Sequence, residues 1–168
     1  GHHGLYLEHT PRRPTDPEHS YLWPFREAAQ AAVDMQELPR TGASYRRDAA
    51  ERFRTFELYF TPGDRPGYES YLPAPLGAGG DVYYDDNAVV ALTQLDQYEA
   101  TGDRRLLKRA ERVVPVVSRA WDGDTTKSCP GGMDWYDSPA NNIRATNVTA
   151  LSAQLAARLY EHTRNRAY

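Results

Sequence analysis

Residues 41–53, T-G-A-S-Y-R-R-D-A-A-E-R-F, align without a gap on residues 101–113, T-G-D-R-R-L-L-K-R-A-E-R-V. Thr, Gly, Ala, Glu and Arg recur in register. A third copy opens at Tyr160-Glu161-His162-Thr163, matching Tyr98-Glu99-Ala100-Thr101. Each unit reads as a helix, a tight turn holding glycine or a substitute, and a returning helix. Hairpins of this kind bury their apolar faces by stacking on neighbours. The spacing between copies is longer than in common helical solenoids, because a long loop precedes each inner helix. The pattern predicts an all-α fold, a toroid of helical hairpins with a loop-lined centre. The third copy stops at Tyr168, so one domain of about two and a half hairpins is expected over 1–168. Such a chain is either a fragment or completes its fold by association, as a homo-oligomer joined through its open edge.

Apolar periodicity places the helices. Residues 22–37 carry Ala28, Ala32 and Met35 at helical spacing, with Pro24 suited to a first turn. Residues 44–60 carry Tyr45, Ala49, Phe53, Phe56 and Phe60, and Thr61-Pro62-Gly63-Asp64 stops them. Helices are also expected over about 87–100, 103–121 and 146–162. The fourth shows Leu106, Leu107, Ala110, Val113, Val114 and Val117, with a kink expected at Pro115. The fifth shows Val148, Leu151, Leu155 and Leu159. Two long connections remain, 61–82 and 122–145. Connections of that length usually carry function or are disordered.

The first connection runs into Y-Y-D-D-N at 83–87, where two aspartates adjoin ahead of an apolar run. Asp and Asn are favoured helix caps, and capping accounts for one of the pair. It accounts for neither the second nor the flanking tyrosines. Glycoside cleavage offers another use for two carboxyls: one attacks the anomeric carbon and the other protonates the leaving oxygen. Adjacent acids repel, which helps one keep the proton a general acid needs. This reading expects the first aspartate to lie just outside helical geometry, so that both face one ligand.

The stretch Y-Y-D-D-N-A-V-V-A-L-T-Q-L-D-Q-Y-E-A-T-G-D-R-R-L-L resembles glycoside hydrolase family 76, the endo-acting α-1,6-mannanases. The likeness extends to A-W-D at 120–122, C-P-G-G-M-D-W at 129–135, G-L-Y-L-E-H at 4–9 and Y-L-W-P-F at 21–25. The resemblance implies a partial (α/α)6 barrel with a central cleft and an α-linked oligosaccharide or polysaccharide as substrate. It implies Asp85 as nucleophile and Asp86 as general acid/base, with retention of configuration. Tyr83, Tyr84 and Asn87 would line the cleft, Trp135 would stack on a mannose ring, and Asn142 would contact substrate. Two departures stand out. Ala88-Val89-Val90 replaces bulky aromatics, and Asn141-Asn142 replaces a pair with a basic first member. A full family domain is also about twice this length. The rival reading is a non-catalytic carbohydrate-binding or assembly module. A sugar epimerase of related architecture fits poorly, since it needs a base such as histidine in the cleft.

Composition narrows the remaining options. A net charge of −3 and a pI near 6.0 give no reason to expect nucleic acid or an anionic membrane as partner. No apolar run approaches the ~20 residues of a membrane span. Cys129 is the single cysteine, so no internal disulfide forms, and its loop gives it no partner base. The histidines are scattered without zinc-helix spacing, so no metal is expected. Gly77-Ala78-Gly79-Gly80 lacks the Lys-Ser/Thr of a phosphate loop and reads as a flexible lip, which leaves no cofactor motif. Trp23 is assigned to the core, and Asn147-Val148-Thr149 is noted as a glycosylation pattern. The start, Gly1-His2-His3-Gly4, leaves the compartment open.

Overall fold

The computed structural model describes residues 4–128 and 130–168, so Cys129, His2 and His3 lie outside the described residues. Five α-helices run through them: α1 (Leu22–Gln36), α2 (Arg46–Thr55), α3 (Tyr84–Thr101), α4 (Arg104–Ser118) and α5 (Thr146–Thr163). Short 3-10 turns at Gly42–Tyr45 and Phe56–Tyr59 flank α2, so the second apolar stripe is one helical path in three pieces. None of the helices is long and apolar enough to cross a membrane. Two short strands, β1 (Phe60–Thr61) and β2 (Gly67–Tyr68), pair antiparallel across the connection 62–66.

α3 lies at the centre and packs on α1, α4 and α5. Its run Ala88-Val89-Val90-Ala91-Leu92 is buried throughout, as expected of a helix with neighbours on several sides. The small side chains at 88–90 fill this central packing. By contrast, α4 has one apolar face, formed by Leu106, Leu107, Ala110, Val113, Val116 and Val117. Val116 takes the place expected of Val114. The helix continues through Pro115 to Ser118.

The repeat is visible in the turns. Gly102, with φ of 72°, ends α3 and donates its N–H to the Tyr98 carbonyl at 2.7 Å. Arg164, with φ of 57°, ends α5 and donates to the Tyr160 carbonyl at 2.8 Å. Thr101 and Thr163 each donate a hydroxyl to the carbonyl four residues back, Gln97 and Leu159. Each hydroxyl oxygen then accepts the N–H two residues on, from Asp103 and Asn165. In the first copy the glycine serves another purpose. A Cβ at Gly42 would lie 2.1 Å from the Gln36 carbonyl oxygen, so close approach of backbone forbids a side chain there.

The buried face of α1 differs from the expected one. Leu22, Phe25, Ala29, Ala32, Val33 and Gln36 are buried, while Met35 is exposed. Phe25 sets the rotation: its ring meets Phe56 edge-on at 5.3 Å and Tyr59 at 5.5 Å. A large aromatic anchor outweighs the alanines and Met35 used to place the face, because buried area scales with side-chain size.

Candidate active site

α3 starts at Tyr84, three residues earlier than expected, so Asp85 and Asp86 both lie in its first turn. Neither caps the helix. Tyr83 is the N-cap, with extended backbone and no side-chain capping bond. The helix end is satisfied by backbone instead. Tyr84 N–H donates to the Trp135 carbonyl at 2.9 Å, and Asn87 N–H donates to the Tyr83 carbonyl at 3.1 Å. The expectation that the first aspartate sits outside helical geometry is therefore corrected. What survives is two carboxyls at the positive end of a helix, where negative charge is favoured.

The two carboxyls have different surroundings. Asp85 is buried, with 8% of its surface exposed. Its Oδ2 accepts the Trp135 Nε1–H at 3.1 Å and the Asn147 side-chain N–H at 2.8 Å. Its Oδ1 accepts the Asp86 backbone N–H at 3.1 Å. An ionised carboxylate accepts and does not donate, so three N–H donors match it. Burial pushes the Asp86 carboxyl up to about 7, and the adjacent Asp85 charge adds to the shift. Asp86 therefore keeps its proton to near neutral pH.

A cavity of about 290 Å³ opens over the pair, walled by Trp23, Tyr83 and Trp135. Tyr83 lies 5.1 Å from the Trp135 ring and 5.5 Å from that of Tyr136. Trp23 is 45% exposed and belongs to this wall, not to the core. Leu22 and Phe25 occupy the inward side of the first turn of α1 and leave Trp23 facing outward.

Three expected cleft residues lie elsewhere. Tyr84 is buried beneath the pair, its hydroxyl bonded in the network around Asp137; burial and the Asp137 charge raise it to about 12. Burial works against the Asp137 charge, but hydrogen bonds from Arg65 and Arg119 outweigh it and hold that carboxyl below its usual range. Asn87 is fully buried and works on backbone. Its Oδ1 accepts from Tyr68 N–H at 2.8 Å, and its Nδ2 donates to the carbonyls of Tyr68 and Tyr83 at 2.9 and 2.8 Å. It straps β2 to the start of α3. Asn142 is exposed and lines a separate groove with Gly131, Gly132 and Arg144.

Sequence reasoning missed Asn147 as a partner of Asp85. Its residue type was noted only for the N-x-T pattern. The available signal was its place in the first turn of α5, since α3 and α5 both open toward the loop that carries Trp135. That loop is laced by backbone bonds and does not lie free. Asp134 N–H reaches the Ala120 carbonyl at 2.7 Å, Trp135 N–H reaches Ile143 at 3.0 Å and Ala145 N–H reaches Met133 at 2.9 Å. Gly131 and Gly132, with φ of 89° and 101°, supply the backbone turn that other residues rarely adopt.

Comparison with known proteins agrees with this architecture. The chain belongs to glycosyl hydrolase family 76, whose family model matches residues 3–168. A family 76 alpha-mannanase from Bacteroides thetaiotaomicron superposes with a TM-score of 0.76 at 20% identity, over 89% of this chain and 41% of that one. A family 76 mannosidase from strain VPI-5482 of the same organism gives 0.80 at 20% identity, over 100% and 45%. A family 76 glycoside hydrolase from a bovine strain gives 0.77 at 24% identity, over 98% and 36%. No curated protein matches the chain. The chain thus spans less than half the length of these solved structures, and its fold is part of an (α/α)6 barrel.

Proposed function

We propose that this chain carries the reacting carboxyls of a retaining glycoside hydrolase acting on α-1,6-linked mannan or a related mannose-containing glycan. The observation that supports it is the division between two adjacent aspartates in one aromatic-walled cavity. Asp85 is surrounded by N–H donors, and Asp86 is raised to about 7. In this reading an Asp85 oxygen bonds to the anomeric carbon while the bond from that carbon to the leaving sugar breaks. The Asp86 proton passes to the leaving oxygen. Asp86 then takes a proton from water, whose oxygen displaces Asp85 and restores the starting configuration. Trp23, Tyr83 and Trp135 offer ring faces to the sugar and limit water at the reacting carbon.

The test is NMR of α-1,6-mannohexaose incubated with the chain and, in parallel, with Asp85→Asn. Shorter oligosaccharides released first as the α-anomer, and only by the unaltered chain, are the expected result. Saturable binding with no products from either protein would overturn the catalytic reading for this chain and assign it to carbohydrate binding.

A further inference from the structure

The ends of α1 and α3 remote from the aspartates meet the length of α2 and the start of α4 around a second cavity, of about 240 Å³. Gln97 on its floor is twelve residues along α3 from Asp85, or roughly 18 Å at 1.5 Å per residue. The buried Gln97 and Gln36 bond each other through their side-chain amides in both directions. Each amide nitrogen has two hydrogens, and this pairing uses one of them.

The charge around this cavity departs from that of the chain. The whole molecule carries −3, yet four arginines line the cavity against a single aspartate. Asp103 is already taken: its oxygens accept a fork from Arg105 at 2.8–3.2 Å as well as the Arg105 backbone N–H. Arg109 donates to the Phe53 carbonyl at 2.8 Å and lies 3.4 Å from Glu57. Arg46 and Arg54 are different. Neither meets an acidic group or a hydrogen-bond acceptor among the described residues, so both guanidinium groups keep all their donors.

We propose that this cavity binds a compact oxyanion of the phosphate or sulfate type, free or carried on a sugar. Arg46 and Arg54 hold it from α2, and the spare amide hydrogens of Gln36 and Gln97 meet it from the floor. A tetrahedral oxyanion suits the site better than a planar carboxylate, because its oxygens point toward three helices at once. Guanidinium groups bind such oxygens in paired fashion. The inference goes beyond the glycosidase reading and does not depend on it.

The experiment is a titration of inorganic phosphate into isotope-labelled protein at constant ionic strength, followed by NMR at the Gln36 and Gln97 side-chain amides. Arg46→Ala with Arg54→Ala is compared with Arg104→Ala, an exposed arginine that does not line the cavity. Saturable shifts are expected, weakened roughly tenfold or more in the double variant and unchanged in the control. A parallel titration with a hexose 6-phosphate distinguishes the two carriers: tighter binding assigns the anion to a sugar, and equal binding assigns a free ion. Shifts that never saturate, or that survive the double substitution, would overturn the proposal and leave the arginines as solvated surface. Both substituted side chains are exposed and unpartnered, so folding of the variant is expected and is checked by circular dichroism.

Discussion

Asn147 of α5 donates its side-chain N–H to Asp85 of α3 across 2.8 Å, joining two helices sixty-two residues apart at one carboxylate oxygen. Trp135, on the loop between α4 and α5, donates to that same oxygen. Three elements thus converge on Asp85. If Asp85 is the nucleophile, Asn147 is a positioning residue whose removal changes chemistry more than substrate affinity. Asn147→Ala is expected to lower kcat about 10- to 100-fold with little change in KM, the worth of one hydrogen bond to a charged group. Steady-state kinetics on α-1,6-mannooligosaccharides check this.

The Asp86 carboxyl has an ordinary value of 3.8 and sits at about 7 in the fold. As general acid it must be protonated, so turnover should fall as pH rises through about 7. Folding carries the matching sign. Between those two values the folded state binds the extra proton, so stability falls as pH rises across that window and stays lower above it. Asp86→Asn should remove this slope and make the protein more stable than the parent at pH 8, by about 1–2 kcal/mol after allowance for solvent screening. Denaturant melts at pH 5 and pH 8 check it. Asp85→Asn should bring the Asp86 carboxyl down, because one of the two causes of its shift is removed.

Trp23 stands at the cavity wall with nearly half its surface exposed. Trp23→Ala should therefore cost little stability and weaken oligosaccharide binding, raising KM or Kd by about tenfold for one lost stacking surface. A large loss of stability with unchanged binding would return Trp23 to the role of a core residue.

Asn87 makes the opposite prediction. It is fully buried and spends its polar atoms on the backbone of Tyr68 and Tyr83. Asn87→Ala leaves buried N–H and C=O groups without partners and should cost about 2–4 kcal/mol in chemical denaturation. Activity losses in this variant should track the fraction unfolded, unlike those in Asn147→Ala.

The contrast between Asn87 and Asn147 shows what the sequence could and could not say. Helix positions followed from apolar spacing, because α4 and α5 each bury one regular face. The hairpin turns followed from the Thr-Gly repeat, because its hydroxyl and backbone bonds are local. Contacts made through loops were not legible. Asn87 adjoins the aspartates in sequence yet points into the core, while Asn147 is distant in sequence and reaches Asp85. A helix rotates adjacent side chains by about 100°, so neighbours in a motif need not share a face. The start of α3 was missed for a related reason: the Trp135 carbonyl satisfies it, and no local cap marks it.

The repeat also supports a prediction far from any chemistry. Gly102 and Arg164 end α3 and α5 in the same left-handed conformation, with φ of 72° and 57°. Glycine adopts it freely, whereas an L side chain crowds the neighbouring carbonyl. A Cβ at Gly102 would meet nothing within 4 Å, so any cost of Gly102→Ala comes from the backbone alone. That substitution should lower stability by about 1 kcal/mol. Arg164→Gly should act in the other direction by about 0.5–1 kcal/mol, since it relieves the same conformation in the third copy. The distant contact of the Arg164 guanidinium with the Tyr160 ring, 5.9 Å to its centroid, gives back only a small part. Paired thermal melts of the two variants check the argument. If both lowered Tm equally, the arginine would be held by its side chain, and the two turns would not be copies of one device.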